Sequence, residues 1–291
     1  VTTVFNSEET LNQFHLNVTR ACQNLKLEDY EVIYVNDAST DRSLSVLFEL
    51  QNIDNSIVIV DLSRNFGQHK AIMTGLGYSR GDMVFILDSD LEEDPEWLIK
   101  FHAHLLNLKA DVVFGAQSVR KGRFFERASG HLFYRLFSIL TGEHLHPNPV
   151  TARLMTRQYV DALLLHRERE LFLAGLWHIT GFYQVPYNVK KIYLGSTTYT
   201  FKRKLEMALT SVISFTAKPL IWVFFAGSLV VVASVLFGMW VLVSSLLFGF
   251  GEAGWASLAL AVSFFGGLNL LASGIIGLYL SRVYSESKQR P

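Results

Sequence analysis

The last third of the chain contains two long runs without a charged side chain, and these runs restrict its possible folds more than any other feature. Residues 219–251 form 33 positions without Asp, Glu, Lys or Arg, and residues 253–281 form 29 more. A helix needs about 20 apolar residues to cross a bilayer, whereas soluble helices seldom stay uncharged beyond about 18 residues. A buried helical hairpin of a soluble protein is the alternative, but these lengths favour two membrane spans, at about 219–247 and 255–280.

Basic residues lie on the outer sides of the two predicted spans and are missing from the short segment 249–254 that connects them. By the positive-inside rule, we expect a multi-pass protein of the cell (inner) membrane, with the first two thirds of the chain, both termini and a basic tail in the cytoplasm. Small residues along the second span allow close helix packing, within the hairpin or between subunits, so a homo-oligomer is expected. The basic residues are Lys202, Arg203, Lys204, Lys218, Arg282, Lys288 and Arg290, and the small residues are Gly266, Gly267, Ala272, Ser273, Gly274 and Gly277.

Net charge and cysteine content exclude further classes of protein. The 291 residues carry a formal net charge of zero, so we expect no nucleic-acid partner bound through general basicity. Cys22 is the single cysteine, which excludes an internal disulfide and a metal site built from several cysteines.

Apolar segments that predict strands alternate with helical segments over the first two thirds of the chain. This order is typical of right-handed crossovers and a mostly parallel sheet, so residues 1–198 are predicted to form a Rossmann-like α/β domain. Polar or acidic residues recur at the ends of these strands, and we expect them to converge on one edge of the sheet; they are Asn6, Asp37, Asp61 and Asp88. The predicted strands are 1–5, 30–35, 56–61, 83–87 and 110–115.

The predicted strand at 83–87 is followed by two carboxylates, Asp88 and Asp90, with one residue between them. Its uninterrupted apolar character predicts burial on both faces, and ligands of open α/β sheets bind at the carboxyl ends of strands. Two neighbouring carboxylates repel each other unless a cation shares them. The pair therefore predicts a site for Mg²⁺ or Mn²⁺, which prefer oxygen ligands and keep positions for water and phosphate. An Asp-rich turn that starts the next helix near Asp94 is the alternative.

Two further segments are typical of helices at a membrane interface. Residues 123–141 place apolar side chains at helical spacing, with Arg127, His131 and Arg135 along the neighbouring face. An aromatic and basic helix of this kind suits anionic head groups, although a core-facing helix with a solvated basic side has the same pattern. Residues 199–218 combine basic and apolar positions and lead into the first span, which predicts a juxtamembrane interfacial helix.

The motifs of the chain, taken together and in order, resemble those of family-2 glycosyltransferases with the GT-A fold. Asn36-Asp37-Ala38-Ser39-Thr40-Asp41 and Asp88-Ser89-Asp90-Leu91 are two of the matching motifs. More narrowly, the chain resembles the polyprenyl-phosphate glycosyltransferases, the group of dolichyl-phosphate mannose synthase and the bactoprenol glucosyltransferases. The likeness extends over nearly the whole chain, including the two terminal spans. The matching segments are 4–9, 35–41, 62–68, 88–91, 132–136, 153–155 and 172–176.

The resemblance implies a reaction, a site and a membrane location. The reaction is inverting transfer of a single sugar, glucose or a related hexose, from a nucleotide-diphosphate donor to polyprenyl (undecaprenyl) phosphate at the cytoplasmic face. UDP is the favoured nucleotide. Carried over by position, the resemblance implies that Asp88 and Asp90 are catalytic and hold the divalent ion, Asp90 most directly. It also implies a nucleotide site at Phe5, Glu8, Asp37, Arg64 and Lys70, and an acceptor-phosphate site at Arg120, Arg127 and Arg153.

The chain departs from the family pattern at four positions. Glu92 adds a carboxylate where Gln is common, Gln117 stands where Arg is frequent, and Thr198 replaces a usual Lys. Thr151 replaces an Asp. This replacement need not remove activity, because the acceptor needs no general base. A polyprenyl phosphate has a second pKa of about 6, so it is largely dianionic at neutral pH. We expect Thr151 to alter which sugar fits.

Two alternatives share part of this pattern. A processive polysaccharide synthase would also use Asp37, Asp88 and Asp90, but its Gln-x-x-Arg-Trp signature is not found in this sequence. A nucleotide-sugar-binding membrane subunit without catalysis is the second alternative, and it is motivated by Gln117, Thr151 and Thr198. The length of the product distinguishes the first alternative, and donor binding without product distinguishes the second.

Overall fold

The computed structural model describes residues 1–27, 29–117, 148–166, 168, 173–192, 218–248 and 255–287. The chain divides into two compact units, Val1–Tyr134 with His144–Tyr199, and Arg135–Glu143 with Thr200–Pro291. Every strand that the structure describes lies in the first unit, and the described part of the second unit consists of two long helices.

Strands and helices of the first unit alternate from the first strand to the fifth. The five predicted strands are all present, and their ends lie within two residues of the predicted ends. The strands are β1 (Thr2–Val4), β2 (Val32–Asn36), β3 (Ile57–Asp61), β4 (Met83–Ile86), β5 (Val112–Ala116), β6 (Pro149–Thr156) and β7 (Gln184–Asn188). The helices are α1 (Leu11–Asn24), α2 (Ser43–Gln51), α3 (Gln68–Tyr78), α4 (Trp97–Leu108), α5 (Arg157–Leu164) and α6 (Leu173–Ile179).

The strands form two groups, and hydrogen bonds at the start of β1 join the groups. β1, β2 and β3 are parallel neighbours, and the second group has the order β4-β6-β5-β7. The Val1 nitrogen donates to the Phe85 oxygen (2.7 Å) and the Leu87 nitrogen donates to the Val1 oxygen (3.2 Å), which is the pattern of parallel neighbours. β6 is antiparallel to β4 and β5, while β7 is parallel to β5. The prediction of a mostly parallel α/β sheet is confirmed.

Burial explains why these segments form strands. All five residues of β2 are buried, as expected for a strand whose two faces are both covered. α3 packs closely on the sheet at Gly75, where an added Cβ would lie 2.8 Å from the Val35 Cγ2 atom. The expected burial of β4 on both faces is wrong for Met83, which is 37% exposed because it follows directly on an exposed turn.

The second unit contains α7 (Lys218–Phe248) and α8 (Trp255–Ser287), which cover most of the two charge-free runs. Among the described residues, Phe264–Ser281 is long and apolar enough to cross a membrane, with a mean hydropathy of 1.5. Leu220–Val230 in α7 is a shorter apolar stretch. The first span, and with it the two-helix hairpin, stays a prediction.

The predicted interfacial helices lie outside the described residues. Segment 123–141 lies wholly within the undescribed range 118–147. Segment 199–218 is undescribed except for Lys218, the first residue of α7. Their position at a membrane surface therefore stays a prediction.

Candidate active site

Polar side chains connect the carboxyl ends of the first three strands. Asn36, the last residue of β2, donates from Nδ2 to Oδ1 of Asp61 at the end of β3 (2.7 Å). Asn6, which follows β1, accepts on Oδ1 from the backbone nitrogen of Thr40 after β2 (2.8 Å). Asn6 adopts a positive φ of 51°, which short polar residues such as Asn tolerate better than most side chains.

Two of the predicted nucleotide-binding residues lie directly after β1. Phe5 is 49% exposed, so its ring has an open face at this edge of the sheet. Glu8 accepts on Oε2 from the backbone nitrogen of Arg42 (2.7 Å), just before α2 begins. Glu8 therefore fixes the start of α2, and its contact with a nucleotide stays a prediction.

Asp37 anchors the loop between β3 and α3. It is buried, and its two carboxylate oxygens accept from the backbone nitrogens of Phe66 (2.7 Å) and Gly67 (2.9 Å). Two cations lie around the Phe66 ring of this loop. The Arg64 Cζ atom, in the loop, is 4.6 Å from the ring centroid, and the Lys70 Nζ atom, in the first turn of α3, is 6.0 Å from it. Asp37 thus orders the segment that presents positive charge at this edge, while its predicted contact to a base is untested.

Several carboxylates lie between β4 and α4, and we call four of them the acidic corner, namely Asp88, Asp90, Glu92 and Glu93. Asp88 accepts on Oδ1 from Nε2 of Gln68, the first residue of α3 (2.8 Å). Asp90 is exposed, and its Oδ1 accepts from the backbone nitrogen of Glu92 (2.9 Å). Together with the contacts of the first three strands, these bonds confirm that the strand-end residues converge on one edge.

Lys191, which follows β7, lies among three carboxylates of the acidic corner. Its Nζ atom is 3.6 Å from Asp88 Oδ2, 3.5 Å from Glu92 Oε2 and 3.4 Å from Glu93 Oε1. Burial acts to lower the pKa of Lys191, but the surrounding carboxylates, Glu93 first, raise it above its ordinary value. Lys191 was not predicted from the sequence, because its contacts depend on how β7 is placed in the sheet and no local motif marks it.

Glu93 connects the end of β4 to β6 from a buried position. Its Oε2 accepts from the Asp88 nitrogen (3.3 Å), and its Oε1 accepts from the Thr151 nitrogen (3.1 Å). Burial, and then the neighbouring Asp88 carboxylate, raise the pKa of Glu93 to about 8. Burial also raises the pKa of Asp88, against the opposing effect of Lys191.

Thr151 touches the acidic corner through its side chain as well as its backbone. Burial is the largest effect on the pKa of Asp88 and raises it, whereas hydrogen bonding by the Thr151 hydroxyl acts to lower it. Thr151 therefore lies beside a predicted metal ligand, and its effect on the choice of sugar stays a prediction. Of the other departures from the family pattern, Gln117 bonds through its backbone nitrogen to the Asn148 oxygen (3.1 Å), while Thr198 lies outside the described residues.

The donor atoms of Asp88 and Asp90 fit a hard divalent cation. Both offer carboxylate oxygens, and exposed Asp90 leaves space for the water and phosphate ligands that Mg²⁺ and Mn²⁺ retain. Within the described part of the chain, no group of three or more His, Cys, Asp or Glu side chains is arranged to hold a metal by itself. The residues present thus fit a cation that a bound diphosphate also holds, and the metal stays a prediction.

Arg153, a predicted ligand of the acceptor phosphate, is buried in β6. It is 2% exposed, and its Cζ atom lies 3.1 Å from the centroid of the Trp177 ring and 5.8 Å from that of Phe114. Burial lowers the pKa of Arg153 to about 9. Its described contacts are thus with the interior of the domain. Arg120 and Arg127 lie outside the described residues, so the acceptor site stays a prediction.

The fold and the site together define a class of enzyme. A mostly parallel α/β sheet, with an Asp-x-Asp pair at the carboxyl end of β4 and a cation-bearing loop beside it, is the arrangement of a GT-A glycosyltransferase. Residues 1–164 match the family described as Glycosyl transferase family 2. The match covers more than half of the 291 residues, so the chain belongs to glycosyl transferase family 2, and the resemblance found in the sequence is confirmed.

Several curated proteins are similar over the whole chain. A protein of Mycobacterium tuberculosis (strain CDC 1551 / Oshkosh) named as one of the putative glycosyltransferases is 42% identical, over 100% of this chain and 85% of its own length. An uncharacterized glycosyltransferase of Bacillus subtilis (strain 168) is 33% identical, over 100% of this chain and 90% of its own length. The bactoprenol glucosyl transferase of Shigella phage SfV is 33% identical, over 100% of this chain and 95% of its own length.

Proposed function

We propose that this chain is a membrane-bound, metal-dependent inverting glycosyltransferase. It moves one sugar, glucose or a related hexose, from a UDP-linked donor to polyprenyl phosphate at the cytoplasmic face. The relative named bactoprenol glucosyl transferase, 33% identical over the whole chain, supports this sugar and this lipid. The observation that carries the proposal is the exposed Asp90 carboxylate beside Asp88, on the edge that also presents Arg64 and Lys70.

The edge of the sheet offers suitable groups for a nucleotide diphosphate. Arg64 on the loop that Asp37 anchors and Lys70 in the first turn of α3 lie near the Phe66 ring, and their charges can neutralise phosphate oxygens through charge-assisted hydrogen bonds. The open ring of Phe5 can stack on a base. A divalent cation bound at Asp88 and Asp90 would neutralise the charge that develops on the leaving diphosphate.

The acceptor removes the need for a general base. A polyprenyl phosphate has a second pKa of about 6, so at neutral pH it is largely a dianion that can attack the anomeric carbon without losing a proton. Attack from the side opposite to the leaving diphosphate inverts the configuration of that carbon. The residues of the chain must then hold two anionic partners in line and stabilise the leaving group, so the Thr at position 151 is compatible with catalysis.

The apolar helix supports a membrane location for this reaction. Phe264–Ser281 is long and apolar enough to cross a bilayer, and Leu270 within it is 77% exposed. The phosphate of a polyprenyl lipid stays near the head groups, so a transferase that uses it must work close to the membrane surface. A helical hairpin with interfacial helices and a homo-oligomeric assembly are part of this proposal.

A product assay tests the proposal. The full chain in lipid nanodiscs is incubated with UDP-glucose, UDP-galactose, UDP-N-acetylglucosamine or GDP-mannose and a short polyprenyl phosphate, with Mn²⁺ or with EDTA. We expect one donor to give a lipid that carries a single sugar, and EDTA to abolish the product. A product with several sugars would support the processive synthase instead. Donor binding without any lipid-linked sugar would support the non-catalytic subunit.

A further inference from the structure

Lys191 occupies an unusual position, because its ammonium group points into a cluster of carboxyl groups rather than into solvent. Its side chain is 17% exposed, and Nζ lies within 3.6 Å of oxygens from Asp88, Glu92 and Glu93. An ammonium group has three N–H donors, which three carboxyl oxygens can fully occupy. In this arrangement the Lys191 ammonium group is paired with carboxyl groups of the chain itself.

The backbone around Lys191 is fixed on both sides of it. The Val189 nitrogen donates to the Ala116 oxygen (2.9 Å), and the Ile192 nitrogen donates to the Glu92 oxygen (2.9 Å). Lys191 can therefore leave the carboxylates only by rotation of its own flexible four-carbon side chain. The Lys191 side chain can therefore leave the carboxylates while the backbone stays in place.

Each carboxylate oxygen of Asp88 faces a polar group of a neighbouring segment. Its Oδ1 accepts from Gln68 Nε2 (2.8 Å) and its Oδ2 faces Lys191 Nζ (3.6 Å), whereas Asp90 is exposed. A cation that first meets Asp90 and then binds Asp88 must approach the Lys191 ammonium group. Two positive charges within a few ångströms of each other repel strongly where water is partly excluded.

We propose that Lys191 is a built-in counter-ion that competes with the divalent cation for Asp88 and yields to it when the donor diphosphate binds. The proposal rests on the proposed function, because it assumes that Asp88 and Asp90 receive the cation. In the free chain, Lys191 holds Asp88, Glu92 and Glu93 together and keeps the affinity for a bare cation low. The diphosphate brings the negative charge that lets Lys191 and the cation occupy the corner together, so cation and donor bind cooperatively.

The test measures Mn²⁺ binding to the full chain by electron paramagnetic resonance, in which bound and free Mn²⁺ are distinguished, with and without UDP. Lys191→Met is expected to bind Mn²⁺ without UDP at least about tenfold more tightly than the wild-type chain, because the competing charge is gone. The factor by which UDP tightens Mn²⁺ binding should fall by a similar ratio. Lys191→Arg keeps the positive charge and should retain the weak wild-type affinity.

The neighbouring residue Lys190 provides the matched control. Lys190 is exposed, and Lys190→Met makes the same change in net charge one position away, so it should leave Mn²⁺ affinity at the wild-type value. Lys191→Gln is measured alongside, in case Lys191→Met does not fold, and melting temperatures identify folded variants. Unchanged or weaker Mn²⁺ binding in both Lys191→Met and Lys191→Gln would overturn the proposal.

Failure of this inference is distinguishable from failure of the proposed function. If the wild-type chain binds Mn²⁺ through Asp90 and makes product, but Lys191→Met binds no more tightly, the competition is wrong and the enzyme assignment stands. If neither the wild-type chain nor any variant binds Mn²⁺, with or without UDP, the inference and the proposed function are both wrong in assigning a cation to this site. If Asp90→Asn binds Mn²⁺ as the wild-type chain does, the assigned cation site is wrong and the inference fails with it.

Discussion

Asp90 is the carboxylate of the acidic corner that is open to solvent, and a change of one functional group tests its role. Asp90→Asn keeps an Oδ1 atom that can accept from the Glu92 nitrogen, as Asp90 does at 2.9 Å, but removes the charge. We expect kcat to fall by about 10²-fold or more, as for the loss of one stabilising group in other active sites, with an unchanged melting temperature.

Asp94 provides the matched control for Asp90. Its Oδ1 accepts from the Glu96 nitrogen at 2.9 Å, so Asp94, like Asp90, binds the backbone nitrogen two residues further along the chain. Asp94 lies outside the acidic corner. Asp94→Asn should keep wild-type turnover with polyprenyl phosphate and donor. Equal rates for Asp90→Asn and the wild-type chain would contradict the role given to Asp90.

The buried Glu93 carboxyl group predicts a pH dependence of stability. Its pKa is raised to about 8 by burial and then by Asp88, above the ordinary value of 4.5. Between these values the folded chain keeps the Glu93 proton that the unfolded chain loses, so this group lowers the free energy of unfolding as pH rises from about 4.5 to 8. The decrease is at most about 1.4 kcal/mol per pH unit.

Glu93→Gln should remove this decrease. The melting temperature of the variant minus that of the wild-type chain should therefore increase as the pH is raised from 5.5 to 8. The pKa of His15 is lowered by burial, so His15 acts in the opposite direction below its ordinary value of 6.5, equally in both proteins. Glu96→Gln, an exposed position in the same segment, controls for the removal of one carboxylate. A constant difference between Glu93→Gln and wild type across this range would contradict the assignment.

Among the elements, the loop between β3 and α3 depends on a single glycine. Gly67 has φ +90° and ψ 151°, a region in which residues other than glycine are strained, although nothing lies within 4 Å of an added Cβ. Gly67→Ala should lower the free energy of unfolding by about 1–3 kcal/mol through this strain. It should also raise the KM for the donor, because the loop carries Arg64 and leads directly into the first turn of α3, which carries Lys70.

Gly77, near the end of α3, is the control for Gly67. An added Cβ there also meets nothing within 4 Å, and Gly77 lies within a helix, so Gly77→Ala should be neutral or stabilising. Thermal melts of both variants separate the effect of backbone conformation from the effect of added volume. Equal stability of the two variants would show that the conformation of Gly67 is not strained for alanine.

The elements also show what the sequence could and could not predict. Strands β1 to β5 and the edge with Asp88 and Asp90 follow from local apolar runs and the polar residues after them. β6 and β7 were not predicted from the sequence. β6 runs antiparallel between β4 and β5, which are closer to each other in sequence than to β6, and no local pattern indicates that position. Lys191 and buried Glu93 gain their roles from that placement, so no spacing rule predicts them.

Asp37 shows the same limit in a motif that the sequence did identify. Its position after β2 was predicted, but its two hydrogen bonds to the backbone of the β3–α3 loop were not. A motif fixes which residue type stands at a strand end. It does not distinguish a carboxylate that binds a ligand from one that orders a neighbouring loop, because both functions need the same residue at the same edge.

At the scale of the whole molecule, the two charge-free runs predict a topology that reporter fusions can check. Alkaline phosphatase is inserted after Gly251 or fused after Pro291, and green fluorescent protein is used at the same two positions. We expect active phosphatase at Gly251 and fluorescence at Pro291, because basic residues flank the outer ends of both runs. Fluorescence at both positions with inactive phosphatase at both would contradict two spans.

The proposed reaction depends on the acidic corner after β4, where a cation would hold the donor diphosphate beside the lipid phosphate. A crystal of the chain grown with Mn²⁺ and UDP, measured at a wavelength where manganese scatters anomalously, tests this most directly. We expect an anomalous peak within about 2.5 Å of a carboxylate oxygen of Asp90, with diphosphate density next to it. Diphosphate density without a peak at Asp90, or a manganese peak at another part of the chain, would contradict the site.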